Sequence, residues 1–163
     1  MILELEPVFN NDGASFSFDY DYPFPSFETV GVCPISKPVR VKGNVKNNTG
    51  IVTLNADVSL EFEAPCDRCA EDISRVLEYQ FTHNLITSLN NGENDDFILV
   101  SDLRLDLDEL ITEDINLSLP SKFLCSEDCK GLCPQCGQNL NKSQCNCKKP
   151  VDPRLEGLLQ FLE

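Results

Sequence analysis

The chain has 163 residues, of which 41% are hydrophobic, and a formal net charge of -14. That is enough for one core, and it fits one domain or one domain with a small appendage. Its opening, "MILELEPVFNNDG", has no basic start, and no stretch approaches the ~20 apolar residues of a membrane span, so a cytoplasmic protein is expected. Residues 1–121 carry most of the acid, which disfavours nonspecific nucleic-acid binding and suits a basic partner, or simply solubility.

In chain order, "ASFSFDYDY" alternates, with Phe16, Phe18, Tyr20 and Tyr22 on one face, and predicts a half-buried strand. "PVRVKGNVK" alternates again, with Val39, Val41 and Val45 on one side and Arg40, Lys42, Asn44 and Lys46 on the other. "NNTG" at residues 47–50 is turn chemistry, because Asn and Gly tolerate positive φ. "IVTLNADVSLEFEA" is the clearest strand, with Val52, Leu54, Ala56, Val58, Leu60 and Phe62 facing in. After "PCDRC", the run "RVLEYQFTHNLI" puts Leu77, Tyr79, Phe81 and Leu85 on one face. Residues 37–87 thus read as a three-stranded antiparallel meander.

A polar loop from Ser88 to Asp96 leads to a short strand at Phe97–Val100. The hydrophobic period then changes, and Leu107, Leu110, Ile111 and Ile115 form one helical stripe. Asp106 followed by Glu109 resembles a capping box, and Pro120 stops the helix, which is placed near 106–119. "PRLEGLLQFLE" suggests a short terminal helix with Leu155, Leu158, Leu159 and Leu162 on its apolar face. The expected fold is β-rich α+β: an antiparallel sheet curled towards a barrel, one main helix, and a zinc-stabilised Cys-rich segment. The expected domains are an acidic β-rich body over 1–121 and the Cys-rich segment over 122–163.

There are nine cysteines. In a reducing compartment, closely paired cysteines are more often metal ligands than disulfides. Cys33 stands alone and reads as a packing or surface thiol. "CPQCG" fits a zinc knuckle: Pro134 stiffens the turn, and Gly137 permits a left-handed residue just after the second ligand. Cys145 and Cys147 follow. Cys125 and Cys129 are spaced C-x3-C, and Cys66 and Cys69 form a second C-x2-C at the tip of a hairpin. Two groupings are open. In one, Cys133, Cys136, Cys145 and Cys147 make one structural zinc site and Cys66, Cys69, Cys125 and Cys129 a second. In the other, Cys125, Cys129, Cys133 and Cys136 make a single site. A tetrathiolate zinc has no open position for water, which argues for structure rather than hydrolysis.

Catalytic motifs are thin. His83, the single histidine, shares parity with Tyr79, Phe81 and Leu85 and reads as a core or rim residue. No phosphate loop or serine nucleophile motif appears, and the acids between 93 and 114 lack the spacing of a calcium loop. No enzyme is expected. Lys37, Arg40, Lys42 and Lys46, with Lys130, Lys142, Lys148, Lys149 and Arg154, either meet RNA phosphates or offset neighbouring acids.

"PCDRCAEDI", followed by "DLDELITEDINLSLPSKFLCSEDCKGLCPQCGQNLNKSQCNC", resembles the YceD family of large ribosomal RNA subunit accumulation proteins, from about Val39 to Leu159. The resemblance implies a process, accumulation or processing of large-subunit ribosomal RNA, rather than a reaction. It carries Cys66, Cys69, Cys125, Cys129, Cys133, Cys136, Cys145 and Cys147 over by position. The function expected is a non-enzymatic factor in large-subunit biogenesis that binds a basic ribosomal protein or a pre-ribosomal particle. The alternatives are an RNA-binding processing factor and a thiol redox protein using Cys66 and Cys69.

Overall fold

The computed structural model describes residues 1–25, 34–88 and 97–147. Cys33, the loop acids Glu93, Asp95 and Asp96, the cations Lys148, Lys149 and Arg154, and the expected terminal helix lie outside the described residues. The chain divides into two compact units, Met1–Ala64 with Asp72–Ser121, and Pro65–Glu71 with Lys122–Glu163. Among the described residues no helix is long and apolar enough to cross a membrane.

In the first unit, β1 (Ile2–Glu4) and a single helical turn α1 (Glu6–Phe9) precede β2 (Ser15–Tyr22), β3 (Val39–Asn48), β4 (Ile51–Pro65) and β5 (Asp72–Ile86). Then come β6 (Phe97–Leu99), β7 (Arg104–Asp106) and helix α2 (Leu107–Ser118). Five strands form one sheet in the order β2-β3-β4-β5-β6, and β1 pairs with β7 in a second, two-stranded sheet. β2 with β3 and β3 with β4 are antiparallel. Cross-strand pairs Thr53 with Asn84, Asn55 with Thr82 and Glu61 with Ser74 show β5 running antiparallel to β4.

Alternation builds the core. Val52, Leu54, Ala56, Val58 and Leu60 are at most 2% exposed, and Val39, Val41 and Val45 are fully buried. Gly43 stands between Val41 and Val45 in the valine row because no Cβ fits there: it would lie 2.0 Å from the Asn55 carbonyl oxygen and 2.8 Å from the ring of Phe18. In β2 the alternation is only partly realised, since Phe18 and Tyr22 are buried while Phe16 is 47% exposed.

Helix α2 supplies Leu107, Ile111 and Ile115 to the core, and Leu110 is half-buried. Its start is fixed by Asp106, whose side chain accepts hydrogen bonds from the backbone N–H of Asp108 and Glu109. It is tied to strands on both sides. Tyr20 donates to Asp108 (2.7 Å) and Tyr22 lies 3.2 Å from Thr112 Oγ1. From β5, His83 Nε2 lies 2.7 Å from Asp114 Oδ2, and Tyr79 donates to the Ser118 carbonyl. Burial holds the Tyr20 hydroxyl well above its usual pKa, reinforced by its bond to Asp108, and burial raises Tyr22 as well.

Three expectations change. The sheet is not closed into a barrel: β2 and β6 are its edges, and α2 takes hydrogen bonds from β2 and β5 where closure would need strand pairing. Nor is the sheet wholly antiparallel, because β6 joins β5 in parallel register. A parallel pair cannot be joined by the tight hairpin that suits antiparallel strands, and ten residues separate β5 from β6 in the sequence. In the "NNTG" turn the positive φ values belong to Thr49 (51°) and Gly50 (88°). Asn47 is instead buried, donating to the Val8 carbonyl at 2.9 Å and accepting from the Gly50 N–H at 2.9 Å.

Candidate metal centres

The second unit gathers eight of the nine cysteines, and its backbone explains how. β4 ends at Pro65, and the chain makes a tight turn before β5 begins at Asp72. The Ala70 N–H donates to the Cys66 carbonyl at 2.8 Å, and Ala70 itself is left-handed, at φ 56°. "CPQCG" repeats this geometry: the Gly137 N–H donates to the Cys133 carbonyl at 2.9 Å, with φ 71° at Gly137. The expected knuckle therefore occurs twice, and the first puts alanine where glycine is the easier residue.

The tail is stitched to the first knuckle by backbone. Asp67 N–H donates to the Phe123 carbonyl, and Phe123 N–H donates to the Asp67 carboxylate at 2.6 Å. Arg68 donates to the Cys129 carbonyl at 2.9 Å, and its own carbonyl accepts from Leu132 N–H at 3.1 Å. Gly131, at φ 74°, makes this approach possible, since a Cβ there would press to 3.0 Å on the Arg68 carbonyl oxygen. Beyond it, Leu132 and Asn139 form a β-bridge that closes a small ribbon over the second knuckle.

Two groups of four sulfurs result, Cys66, Cys69, Cys125 and Cys129, and Cys133, Cys136, Cys145 and Cys147. Within each group the sulfurs all lie within 4.8 Å of one another, and each group can hold a metal ion. This is the first of the two groupings open from sequence; Cys125 and Cys129 are not brought together with Cys133 and Cys136. In the first group, hereafter the inner centre, Cys66, Cys69 and Cys129 are buried and Cys125 is partly exposed. In the second, the outer centre, only Cys133 is buried, and Cys136 and Cys147 are exposed. Cys66 and Cys129 sulfurs are 3.8 Å apart, and those of Cys69 and Cys125 are 3.7 Å apart. A disulfide needs about 2.05 Å.

The thiols are electrostatically unequal. Burial pushes Cys66 up, but backbone N–H groups of Cys69, Arg68 and Cys125 outweigh it and bring the thiol down to about 6. The Cys125 N–H donates to that sulfur at 3.4 Å. Backbone N–H groups of Cys136 and Gln135 likewise bring Cys133 down to about 6. The side-chain amide of Asn141, 3.2 Å from Cys129 Sγ, lowers Cys129. At Cys69 the Glu71 N–H favours the thiolate, yet burial and the neighbouring thiols prevail and push it up to about 12. Cys147 is pushed up to about 12, first of all by the Cys136 thiol beside it. Each cluster thus pairs sulfurs already inclined to ionise with others that hold their protons until a cation arrives.

Sequence reasoning named all eight sulfurs but missed Asn141 and Glu71 around them, and it named Lys142 only as a cation for RNA phosphates or neighbouring acids, without its place beside the sulfurs. Lys142 forms an ion pair with Glu71, whose carboxylate lies 3.9 Å from Cys69 Sγ. An amide and an ion pair at loop positions carry no spacing signature. The expected basic strand face is offset locally, since Arg40 pairs with Asp19 at 3.3 Å and Lys37 pairs with Glu61. His83 sits against Asp114, at the rim of the core.

Comparison with known proteins gives a consistent family. The profile described as "Large ribosomal RNA subunit accumulation protein YceD" matches residues 54–162. The uncharacterized protein YlbN of Bacillus subtilis is 33% identical over 129 residues, covering 77% of this chain and 75% of that one. An uncharacterized protein of Mycobacterium tuberculosis is 37% identical over 115 residues, 68% of this chain and 56% of its own length. A shorter match joins the chain to the chloroplastic "Large ribosomal RNA subunit accumulation protein YCED homolog 1" of Arabidopsis thaliana, 37% identical over 43 residues, 26% of this chain and 13% of that one. No solved structure matches.

Proposed function

The chain belongs to the YceD family of large ribosomal RNA subunit accumulation proteins, and from that membership we propose that it is a non-enzymatic, cytoplasmic factor in large ribosomal subunit biogenesis. It acts by binding a basic ribosomal protein or a pre-ribosomal particle. The family match carries the process, and the charge supports the mode. The first thirty residues contain six acids and no base. On α2, Asp108, Glu109 and Glu113 line a shallow groove with Tyr22, Pro23 and Pro25. A basic segment of a ribosomal protein complements that groove, and its binding keeps the segment from stray RNA.

The cysteine-rich unit gives the factor a rigid second element. Zinc is the ion we propose for both centres: four thiolates about 2.3 Å from a central zinc have sulfur–sulfur edges of about 3.8 Å, against 3.8 and 3.7 Å for two edges of the inner centre, and the outer sulfurs lie within 4.8 Å of one another. Cys66, Cys69, Cys125 and Cys129 would hold one ion, and Cys133, Cys136, Cys145 and Cys147 the other. Such an ion supplies a closed tetrahedral crosslink, which replaces a hydrophobic core too small for so short a segment. The RNA-contact alternative is weaker on the strand over 37–46, where Arg40 and Lys37 are already paired with acids.

A gentle low-salt pull-down of the tagged chain from growing cells, with RNA and protein identified together, tests the reading. Large-subunit ribosomal proteins or precursor RNA in the eluate support it. Their absence, with the chain soluble and recovered, sinks it.

A further inference from the structure

The two sulfur clusters share more than a stretch of chain. Cys129, the last ligand position of the inner centre, and Cys133, the first of the outer, are separated only by Lys130, Gly131 and Leu132. The loop between the two halves of the outer centre, residues 137–144, folds back over the inner one. The Leu140 N–H donates to the Gly131 carbonyl at 2.9 Å. From the same loop Asn141 uses both ends of its side chain: Oδ1 accepts from the Lys130 N–H at 2.7 Å, and Nδ2 lies 3.2 Å from Cys129 Sγ. The orientation is fixed by chemistry. A backbone N–H can only donate, so the oxygen must face Lys130 and the NH2 group must face the sulfur. Lys142 follows directly and pairs with Glu71, beside Cys69. One loop, closed at its ends by Cys136 and Cys145, therefore supplies a donor and a cation to the far sulfur cluster.

Resting on the metal reading above, we propose that Asn141 is a positioning residue that couples the two centres, so that closing the outer centre tightens the hold of the inner one. A metal on Cys133, Cys136, Cys145 and Cys147 shortens the free loop and fixes where Asn141 stands. Asn141 then spends no ordering entropy when it donates to the Cys129 thiolate, and outer-shell donors of this kind are worth a large factor in metal affinity. The coupling is reciprocal: filling the inner centre anchors Asn141 and favours closure of the outer loop by the same factor.

The test loads the full-length reduced chain with Co2+ and withdraws the metal with graded chelator, reading thiolate-to-cobalt absorption. The informative variant is Asn141→Asp. It keeps the shape and the acceptor for Lys130, but sets a carboxylate where the sulfur needs a donor. It should keep two cobalt ions per chain while inner-centre affinity falls about 10-fold or more. In a Cys66→Ser/Cys69→Ser background, which leaves only the outer centre, Asn141→Asp should change cobalt affinity less than about twofold. In a Cys145→Ser/Cys147→Ser background the inner affinity should already be low, and adding Asn141→Asp should lower it little further, as a double-mutant cycle requires of coupled groups. Inner affinity unchanged by Asn141→Asp, or losses that simply multiply in the combined variant, would overturn the coupling. No thiolate-to-cobalt absorption in the unaltered chain would overturn the metal reading itself, and it is recognised because nothing titrates in any variant.

Discussion

At the scale of single residues, three positions carry more of the structure than their neighbours. Ala70 adopts the left-handed conformation that its counterpart Gly137 adopts without a Cβ. Ala70→Gly should therefore stabilise the second unit by about 0.5–1 kcal/mol, because the strain relieved exceeds the added freedom of the unfolded chain; a chelator-resistance or thermal melt showing a loss would refute this. Gly43→Ala is the opposite case. The new methyl meets a carbonyl oxygen of the neighbouring strand at 2.0 Å, and the strand cannot move aside without breaking its ladder. A loss of about 3 kcal/mol, seen as a lower urea midpoint, is expected. Tyr20 sets the alkaline limit. Its folded pKa is raised, by burial first and then by Asp108, so its contribution is complete below the ordinary tyrosine value of about 10 and is lost as pH rises beyond it. Tyr20→Phe should cost about 1 kcal/mol at neutral pH and make the decline above pH ~10 shallower; an unchanged decline would show that other groups govern it.

At the scale of elements, helix α2 and the two knuckles behave as separate devices. Asp106 caps α2 through its side chain, so Asp106→Ala should destabilise the first unit by about 1 kcal/mol and leave metal loading unchanged. The knuckles differ in exposure. Three of four sulfurs are buried in the inner centre and one of four in the outer. Chelator should strip the outer ion first, and native mass spectrometry along the time course should show a one-metal species with Cys136 and Cys147 open to alkylation. Loss of the inner ion before the outer would contradict the difference in burial. Much of this organisation was legible in the sequence, because β4 alternates without interruption, β3 does so from Val39 to Val45 with Gly43 as its one break, and α2 changes period abruptly after Leu105. β1, β7 and the turn α1 were not. β6 was readable as the apolar run "FILV", but β1 and β7 are three residues of mixed character with no period, and Leu3, Leu5 and Val8 become recognisable as core only when β1 pairs with β7. The eight paired cysteines were visible and two partitions of them were open, but the choice between the two was not legible, because grouping Cys66 and Cys69 with Cys125 and Cys129 needs contacts across more than fifty residues of sequence. The Asp67–Phe123 and Arg68–Cys129 hydrogen bonds that make them carry no motif.

At the scale of the whole molecule, the question is what so acidic a chain gains from cations placed among its acids. Across β2 and β3, Lys42 stands opposite Asp19, and across β3 and β4 it stands opposite Asp57. Arg40 is bonded to Asp19. That face is therefore balanced and presents no single sign to a partner. The flank of α2 is different: Glu109 and Glu113 lie one turn apart beside Asp108, with Tyr22 and two prolines giving the groove an apolar floor. Attraction of a basic segment to this flank acts through exposed charges, so salt must weaken it. Capture of the partner should fall by about an order of magnitude between 50 and 500 mM salt, and Glu109→Lys with Glu113→Lys should abolish it at low salt while the melting transition stays in place. Reversing Arg40 and Lys42 to Glu should have little effect on that capture. If instead the Arg40 and Lys42 changes release the partner and the helix changes do not, the balanced sheet face is the one that binds, and RNA becomes the better candidate for what it holds.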